Sequence, residues 1–186
     1  VEAVIDGVRD LAQAYALKVF PDAVGIEAEG RESLLRYSDL LFNAFGPRNA
    51  LFERASFGIE QTAAWVMAHC QRAALAPGSL GAKVYDAVDA GELPAHDAPL
   101  LVRSFLSAGL DTVIAGLGHA LLLLAQHPEQ YARLHADPGL ARHVFDEALR
   151  LESPSQVFAR TTSRDVEIGA TTIPADHKVL CFLGAA

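Results

Sequence analysis

The sequence predicts a mainly α-helical protein of about eight helices, with a small β region at its C-terminal end. Apolar residues recur at helical spacing from Val4 to about residue 152. Short segments rich in β-branched and aromatic residues follow between about residues 156 and 183. A long apolar stretch, Pro99 to Gln126, predicts a central helix with apolar residues on every side, which is typical of a buried helix.

Gly, Pro and capping residues set the predicted boundaries of the helices. Pro21, Asp22 and Gly25 predict the end of the first helix, and the Gly46–Asn49 segment predicts a turn. Ser79 is a suitable N-cap. The helices predicted before the central one are Val4–Phe20, Arg31–Phe45, Leu51–Ala74 and Ser79–Ala90.

The segment after the central helix predicts two shorter helices and then strands. Pro128 ends the central helix and begins the next one, which runs to His135. Asp137 and Pro138 predict the start of a helix that ends at about Leu151. The strand candidates are Val157–Thr162, Val166–Ile168 and Lys178–Leu183, with turns at 163–165 and 173–176.

Composition and charge exclude several classes of function. The net charge is −8 and the basic residues are scattered, which argues against nucleic-acid binding. Cys70 and Cys181 have neither disulfide nor metal spacing, which favours a reducing, cytoplasmic compartment. The uncharged run Thr112–Gln126 is about 15 residues, short of the roughly 20 that cross a bilayer. We therefore expect the central helix to belong to the core of a soluble protein.

The middle of the central helix carries residues that a buried helix disfavours. Gly109 lowers helix stability, and Asp111 is costly to bury without partners. Ala108 and Gly109 are small, so the space beside the Thr112 hydroxyl predicts a place where a ligand or water interrupts the helical hydrogen bonds. The alternative is purely structural: Thr112 donates to the Ala108 carbonyl, and Asp111 pairs with an arginine of a neighbouring helix.

A second motif follows about 35 residues later. Glu147 and Arg150 stand at i,i+3 on a predicted helix, where their side chains face each other. Such pairs are common on helix surfaces, so this one alone indicates little. Arg160 then follows near the start of the β region, in the first strand candidate.

Taken in order, these motifs resemble those of the cytochrome P450 family. The resemblance covers the whole chain and implies that residues 1–186 form a single partial P450 domain containing part of a haem b site. In that family the central helix crosses the oxygen-binding face of the haem. The resemblance implies the following roles: Ala108 and Gly109 beside the oxygen site, Thr112 stabilising bound oxygen, Asp111 relaying protons, Glu147 and Arg150 forming a buried pair, and Arg160 binding a haem propionate.

Four segments are similar to bacterial P450s that oxidise para-substituted benzoates, such as the 4-methoxybenzoate O-demethylase. They are 19–23, 42–47, 103–112 and 151–154. The resemblance implies that Phe42 and Phe45 roof the substrate pocket and that Phe158 walls it. Ser104, with Arg103 nearby, would lie by the substrate carboxylate, and Ser107 along the aromatic ring. The alternatives are ordinary core packing for each Phe and a surface position for Arg103.

This sequence departs from the subfamily at two positions beside these motifs. Val113 stands where the relatives carry a second Thr, and Ser155 stands where an aliphatic residue is usual. Both substitutions adjoin segments to which the resemblance assigns a role. They leave the choice of substrate within the class open.

Two motifs of the family are absent from the sequence. The chain contains no Phe-Gly-x-Gly-x-x-x-Cys-x-Gly loop, so the axial Cys is expected outside it, and neither Cys70 nor Cys181 has the required neighbours. Trp65 is followed four residues later by His69 instead of the Arg that binds a propionate. The seven histidines form no metal set, and we expect His119 to make a helix contact.

The expected parent protein is a cytoplasmic monooxygenase that is bound to neither membrane nor nucleic acid. It would use O2, electrons from a ferredoxin and its reductase, and a small aromatic acid as substrate. This internal fragment alone is expected to hold no haem stably, to be inactive and to self-associate. The alternative is a haem-free helical fragment or interaction module without catalysis.

Overall fold

The computed structural model describes residues 4–185, which form eight α-helices and four short strands. The mainly α class with a C-terminal β region is thereby confirmed. The helices are α1 Ala14–Val24, α2 Ser33–Ala44, α3 Ala50–Ser56, α4 Glu60–His69, α5 Leu80–Asp89, α6 Ala98–Gln126, α7 Pro128–Ala136 and α8 Ala141–Leu151. The strands are β1 Val157–Thr161, β2 Val166–Ile168, β3 Thr171–Ile173 and β4 Lys178–Phe182.

The chain divides into two compact units, Val1–Ala115 and Gly116–Ala186. The first contains α1 to α5 and the N-terminal part of α6. The second contains the rest of α6, then α7, α8 and the strands. The single partial domain that the resemblance implies stays a prediction.

The first helical region departs from its prediction at both ends. It begins as a π-helix, Gly7–Gln13, whose N-cap Asp6 accepts two backbone amide hydrogen bonds. α1 then continues through Pro21 and ends at Gly25, which has a φ of 96°. The prediction that Pro21 ends the helix is therefore wrong.

Arg31 explains why the helix tolerates Pro21. Proline has no amide hydrogen, so the Leu17 carbonyl four residues earlier lacks its helical donor. The Arg31 Nη1 donates to this carbonyl at 3.2 Å and to that of Lys18 at 3.3 Å. Its Nε donates to the Glu27 carbonyl beyond the helix end, at 2.8 Å. A side chain 14 residues away in sequence thus replaces the missing helical donor.

The predicted helix Leu51–Ala74 is in fact two helices and a turn. Asn49 caps α3, and the helical path is interrupted at Gly58, which has a φ of 60°. The Phe57 carbonyl accepts a hydrogen bond from Arg36 of α2, and α4 then begins at Glu60. Residues 72–74 form a 3₁₀ turn. The left-handed glycine and the contact with α2 interrupt a periodicity that looks continuous in the sequence.

The predicted length of α6 is confirmed, but burial on every side is wrong for this chain. Its most buried residues repeat every four positions along one stripe: Ala98, Val102, Leu106, Leu110 and Ile114, with Ala120 further along. Leu100, Leu101 and Leu122 are among its exposed apolar residues. By length and composition α6 could also cross a membrane, a test that core helices of soluble proteins pass as well. The elements described here therefore cover only part of its apolar surface.

The second unit follows its predictions except at one strand. Asp137 caps a 3₁₀ turn, Pro138–Leu140, that leads into α8, whose buried residue is Ala148. β1 pairs with β4 and β2 with β3, both antiparallel. β3 is absent from the predicted strands, because Ile173 and Pro174 predict a turn at 173–176. Gly169, with a φ of 59°, makes the short hairpin possible.

Candidate functional site

The middle of α6 carries a hydroxyl that is bonded back into its own helix. The Thr112 Oγ1 donates to the Ala108 carbonyl at 2.7 Å. Ser104 and Ser107 do the same with the carbonyls four residues before them, at 2.9 and 3.1 Å. The structural alternative for Thr112 is therefore the arrangement observed. Because a hydroxyl also accepts hydrogen bonds, Thr112 can still bind a donor while it holds this bond.

Asp111 is half-buried on the same turn of helix. Burial raises the pKa of its carboxyl to about 6, and the Asp39 carboxylate of α2 adds to the rise. Within residues 4–185 no arginine forms an ion pair with Asp111, so the alternative of an Asp–Arg pair is not what the structure shows. A carboxyl with a pKa near 6 can both release and take up a proton close to neutral pH.

This raised pKa predicts a stability that depends on pH. The folded-state pKa of Asp111 lies above its ordinary value of 3.8. Its stabilising contribution is therefore complete below the ordinary pKa and is lost as the pH rises through about 6. The Asp111→Asn variant of the full-length protein is expected to lose this dependence. Denaturant titrations from about pH 4 to about pH 7 check it, and parallel profiles for the two proteins would contradict it.

Gly109 lies against an aromatic ring and not beside open space. A Cβ built at Gly109 would approach the Phe20 ring of α1 to 2.3 Å. The expectation of free space on this side of the helix is therefore wrong, because Phe20 fills it. Ala108, one residue earlier, is exposed. Gly109 allows close approach of α1 and α6, and Ala108 offers the accessible surface.

The Gly109→Ala variant is expected to destabilise the full-length protein by about 1–3 kcal/mol, because the new methyl group overlaps a packed ring. Thermal or denaturant unfolding measures the loss. In the double variant with Phe20→Leu, the smaller side chain is expected to return part of the stability. Equal losses in the single and double variants would show that the Phe20 contact is not the cause.

The other predicted substrate residues of the first unit lie at two places. Phe42 and Phe45, at the end of α2, form an edge-to-face pair with ring centroids 6.3 Å apart. Both are exposed, Phe45 by 87%. Arg103 is half-buried on α6, where burial raises the pKa of the Cys70 thiol and the positive charge of Arg103 partly opposes that rise. Within residues 4–185 the Phe pair is therefore exposed, and its role in substrate binding stays a prediction.

The pair Glu147–Arg150 forms as predicted, but it is not buried in this chain. Arg150 Nε and Nη2 donate to the two carboxylate oxygens of Glu147 at 2.8 and 2.6 Å. The side chains are 55% and 60% exposed. The expectation of a buried pair is corrected here because the pair lies on the open face of α8, beside the buried Ala148. The hydrogen bonds from Arg150 lower the pKa of Glu147.

Phe158 and Arg160 stand two residues apart on β1 and therefore on the same face of the strand. The guanidinium of Arg160 lies over the Phe158 ring, 5.4 Å from its centroid, and donates to the Ala159 carbonyl at 2.9 Å. A guanidinium has five N–H donors, so most of them remain able to bind an anion. The strand thus presents an aromatic ring and a positive charge side by side.

Comparison with known proteins agrees with these motifs. Cytochrome P450 CYP199A2 of Rhodopseudomonas palustris is 55% identical over 185 residues, which are 98% of this chain and 44% of the relative. Cytochrome P450 130 of Mycobacterium tuberculosis is 46% identical over 83 residues, covering 45% of this chain and 20% of the relative. No protein-family model matches the chain.

The crystal structure of P450BioI in complex with an acyl carrier protein ligated with hexadec-9Z-enoic acid is similar in fold. Its TM-score is 0.81 at 27% identity, over 97% of this chain and 48% of that one. This chain carries about half of a cytochrome P450 fold. The resemblance drawn from the motifs of α6 and α8 is confirmed, and the chain spans less than half the length of these P450s.

Some residues of this P450 chain fit a haem and others do not. Ala108 and Thr112 offer a small, polar helix surface, and Arg160 offers donors for a propionate. Burial raises the pKa of the Cys70 thiol to about 11, so Cys70 stays protonated and does not suit a thiolate ligand. Cys181 is half-buried on β4 opposite Phe158. Residues 4–185 hold no group of three or more His, Cys, Asp or Glu side chains placed to bind a metal.

Three residues that shape this P450 segment are absent from the sequence-based site predictions. Phe20 fills the side of Gly109, Arg31 supports α1, and Asp39 raises the pKa of Asp111. For His119 the sequence predicts a helix contact, and the structure adds its partner, the Glu152 carbonyl at the end of α8. A glycine inside a helix signals close packing, yet no sequence pattern names the side chain that approaches it.

Proposed function

We propose that the chain belongs to a cytoplasmic haem-thiolate monooxygenase that oxidises or O-demethylates a small para-substituted aromatic carboxylic acid. The enzyme would use O2 and electrons from a ferredoxin and its reductase. The four segments that resemble bacterial para-substituted benzoate P450s, together with the 55% identity to CYP199A2, support this substrate class. The observation that carries the proposal is the half-buried carboxyl of Asp111, one residue before the Thr112 hydroxyl, which can still accept a hydrogen bond while it donates to the Ala108 carbonyl.

In this proposal the middle of α6 forms the oxygen side of a haem b site. Ala108 would line it through its exposed surface and Gly109 through its backbone, since the Phe20 ring fills the space beside Gly109. Bound haem supplies the activation of O2. Thr112 holds a hydrogen bond at this surface, and Asp111 exchanges protons with solvent because its pKa lies near 6. Arg160 binds a propionate, and Glu147 and Arg150 keep their structural role.

The substrate pocket is proposed to combine aromatic walls with polar groups for the carboxylate. Phe42 and Phe45 would roof it, and Phe158 would form a wall. The hydroxyls of Ser104 and Ser107 already donate to backbone carbonyls. A carboxylate only accepts hydrogen bonds, so Ser104 must turn away from the Leu100 carbonyl before it can donate to the substrate. Arg103, half-buried beside it, would supply the positive charge.

This chain alone is proposed to be one partial domain without stable haem. The axial Cys and its loop motif do not occur in the sequence. Several large apolar side chains are exposed, which favours self-association of the isolated chain. They include Ile5, Leu11, Tyr15, Phe57 and Leu122.

Reduced, carbon monoxide-treated spectra test the proposal on two proteins. The full-length protein is expected to show the band of a haem-thiolate complex, and the 186-residue chain is expected to lack it. The full-length protein is also expected to give a substrate-type spectral shift with 4-methoxybenzoate. A full-length protein without the band would favour a haem-free interaction module. A band without any response to 4-methoxybenzoate would reject the substrate class.

A further inference from the structure

The C-terminal half of α6 is tied to the segment that follows α8. The His119 Nδ1 lies 2.8 Å from the Glu152 carbonyl oxygen, across 33 residues of sequence. A carbonyl only accepts, so this ring nitrogen carries the proton and donates. The contact therefore fixes both the tautomer and the orientation of the imidazole.

α6 and α8 pack closely at Gly116, three residues before His119. One turn earlier on α6, a Cβ at Gly116 would lie 3.0 Å from the Phe145 ring and 3.1 Å from Leu149 of α8. No larger residue fits there without a shift of these side chains. The close packing of α6 on α8 places the His119 ring within reach of the end of α8.

Glu152 is the residue at which α8 ends. Its amide makes the last helical bond, to the Ala148 carbonyl at 2.8 Å, and its φ and ψ of −127° and 71° turn the chain away from the helix. Carbonyls at a helix end lack helical donors. The donor for the Glu152 carbonyl comes from His119.

The segment that connects Glu152 to β1 is held by its own side-chain hydrogen bonds. The Ser153 hydroxyl donates to the Ser155 carbonyl at 3.0 Å, and the Gln156 amide side chain donates to the Ser153 carbonyl at 3.1 Å. β1 starts at Val157. The short segment between Glu152 and β1, the strand that carries Phe158 and Arg160, is thus internally hydrogen-bonded.

We propose that His119 is a positioning residue: its Nδ1–H holds the Glu152 carbonyl and so sets where β1 presents Phe158 and Arg160. The functional consequence rests on the proposed roles of those two residues. His119 reaches no substrate or haem atom itself; it acts through the backbone between α8 and β1.

The test compares three variants of the full-length, haem-loaded protein. His119→Leu removes the donor, His119→Asn keeps an N–H at the position of Nδ1, and His119→Gln moves it to the position of Nε2. Hydrogen exchange of the 152–160 segment is measured first, with α5 as a reference. Loss of one hydrogen bond is expected to speed exchange in this segment about fivefold in the Leu and Gln variants, but not in the Asn variant.

The second measurement is the dissociation constant of 4-methoxybenzoate by optical titration. It is expected to rise about fivefold for His119→Leu and to stay near the wild-type value for His119→Asn. Unchanged hydrogen exchange in His119→Leu would show that the His119–Glu152 hydrogen bond does not hold the 152–160 segment in place. Faster exchange with an unchanged dissociation constant would overturn the positioning role of His119.

The exchange measurement needs no substrate, so it tests whether the His119–Glu152 hydrogen bond holds this segment independently of the proposed function. A wild-type protein that does not respond to 4-methoxybenzoate would count against the proposed substrate. The carbon monoxide band is expected to be the same in all variants, because His119 does not ligate the haem. If His119→Leu does not fold, the contrast between the Asn and Gln variants gives the same decision.

Discussion

Replacing Thr112 by Ala in the full-length protein is expected to separate electron consumption from product formation. The Thr112 hydroxyl is held in place by the Ala108 carbonyl at 2.7 Å, one residue after the protonatable Asp111. Without this hydroxyl, mobile water replaces a fixed hydrogen-bonding group, and the delivery of protons to the proposed oxygen site is no longer directed. Product formed per electron pair is expected to fall by about tenfold or more. Parallel assays of reduced nicotinamide consumption and product measure the ratio.

Thr112→Ser is the matched control, because it keeps the hydroxyl and removes only a methyl group. Its coupling is expected to stay within about threefold of the wild type, since the same bond to Ala108 remains possible. Folding and haem content are checked by the carbon monoxide spectrum. Unchanged coupling in Thr112→Ala would reject the catalytic role of this residue.

Replacing Arg31 by Met is expected to destabilise the full-length protein by about 3 kcal/mol or more, because one side chain satisfies several backbone groups. The Arg31 side chain is only 10% exposed, and its Nη2 lies 2.6 Å from Asp22 Oδ1. Met fills a similar volume but donates no hydrogen bond. In the wild-type protein Arg31 donates to four backbone carbonyls, those of Leu17, Lys18, Ile26 and Glu27.

The surface pair Arg142–Asp146 provides the control for Arg31. Its atoms are 3.7 Å apart and its side chains are 89% and 63% exposed. Arg142→Met is therefore expected to change the free energy of unfolding by less than about 0.5 kcal/mol. Denaturant titrations of both variants give the comparison. Equal unfolding midpoints would mean that the buried guanidinium is not needed to support α1.

Arg31 also makes the stability of the folded protein depend on acid pH, through its effect on the pKa of Asp22. Its hydrogen bond holds the pKa of Asp22 below the ordinary value of 3.8, with help from Lys18. This contribution is present above the ordinary pKa and is lost as the pH falls through the lowered folded-state pKa. The Arg31→Met variant is expected to lose that part of its acid sensitivity.

Local chemistry was sufficient to predict most of the helices. α6 runs from Ala98 to Gln126, within a residue of its prediction, because the helical apolar pattern meets no further proline between Pro99 and Pro128. Ser79 caps α5 through its Oγ at 3.1 Å from the Ala82 amide, as its position before the helix indicates. The Thr112 bond to Ala108 was one of two arrangements that the hydroxyl allowed. Rules that act over four residues are enough for these features.

Rules based on neighbouring residues failed where a distant group intervened. Pro21 predicts a helix end, but Arg31 replaces the lost donor and α1 continues. The Leu51–Ala74 periodicity predicts one helix, but Gly58 adopts a positive φ and Arg36 binds the Phe57 carbonyl. In both cases the deciding contact joins residues 14 or more apart in sequence. Propensity and periodicity carry no information about such partners.

The sequence by itself determined the helical class, the central helix and the order of the motifs that identify a cytochrome P450 segment. These depend on residue type and spacing. The tertiary structure alone decided that Phe20 fills the side of Gly109 and that the pKa of Asp111 rises to about 6. It also decided that the Glu147–Arg150 pair is exposed and that His119 holds the end of α8. Burial and close approach arise only when distant segments pack together, and they set both the pKa and the available space.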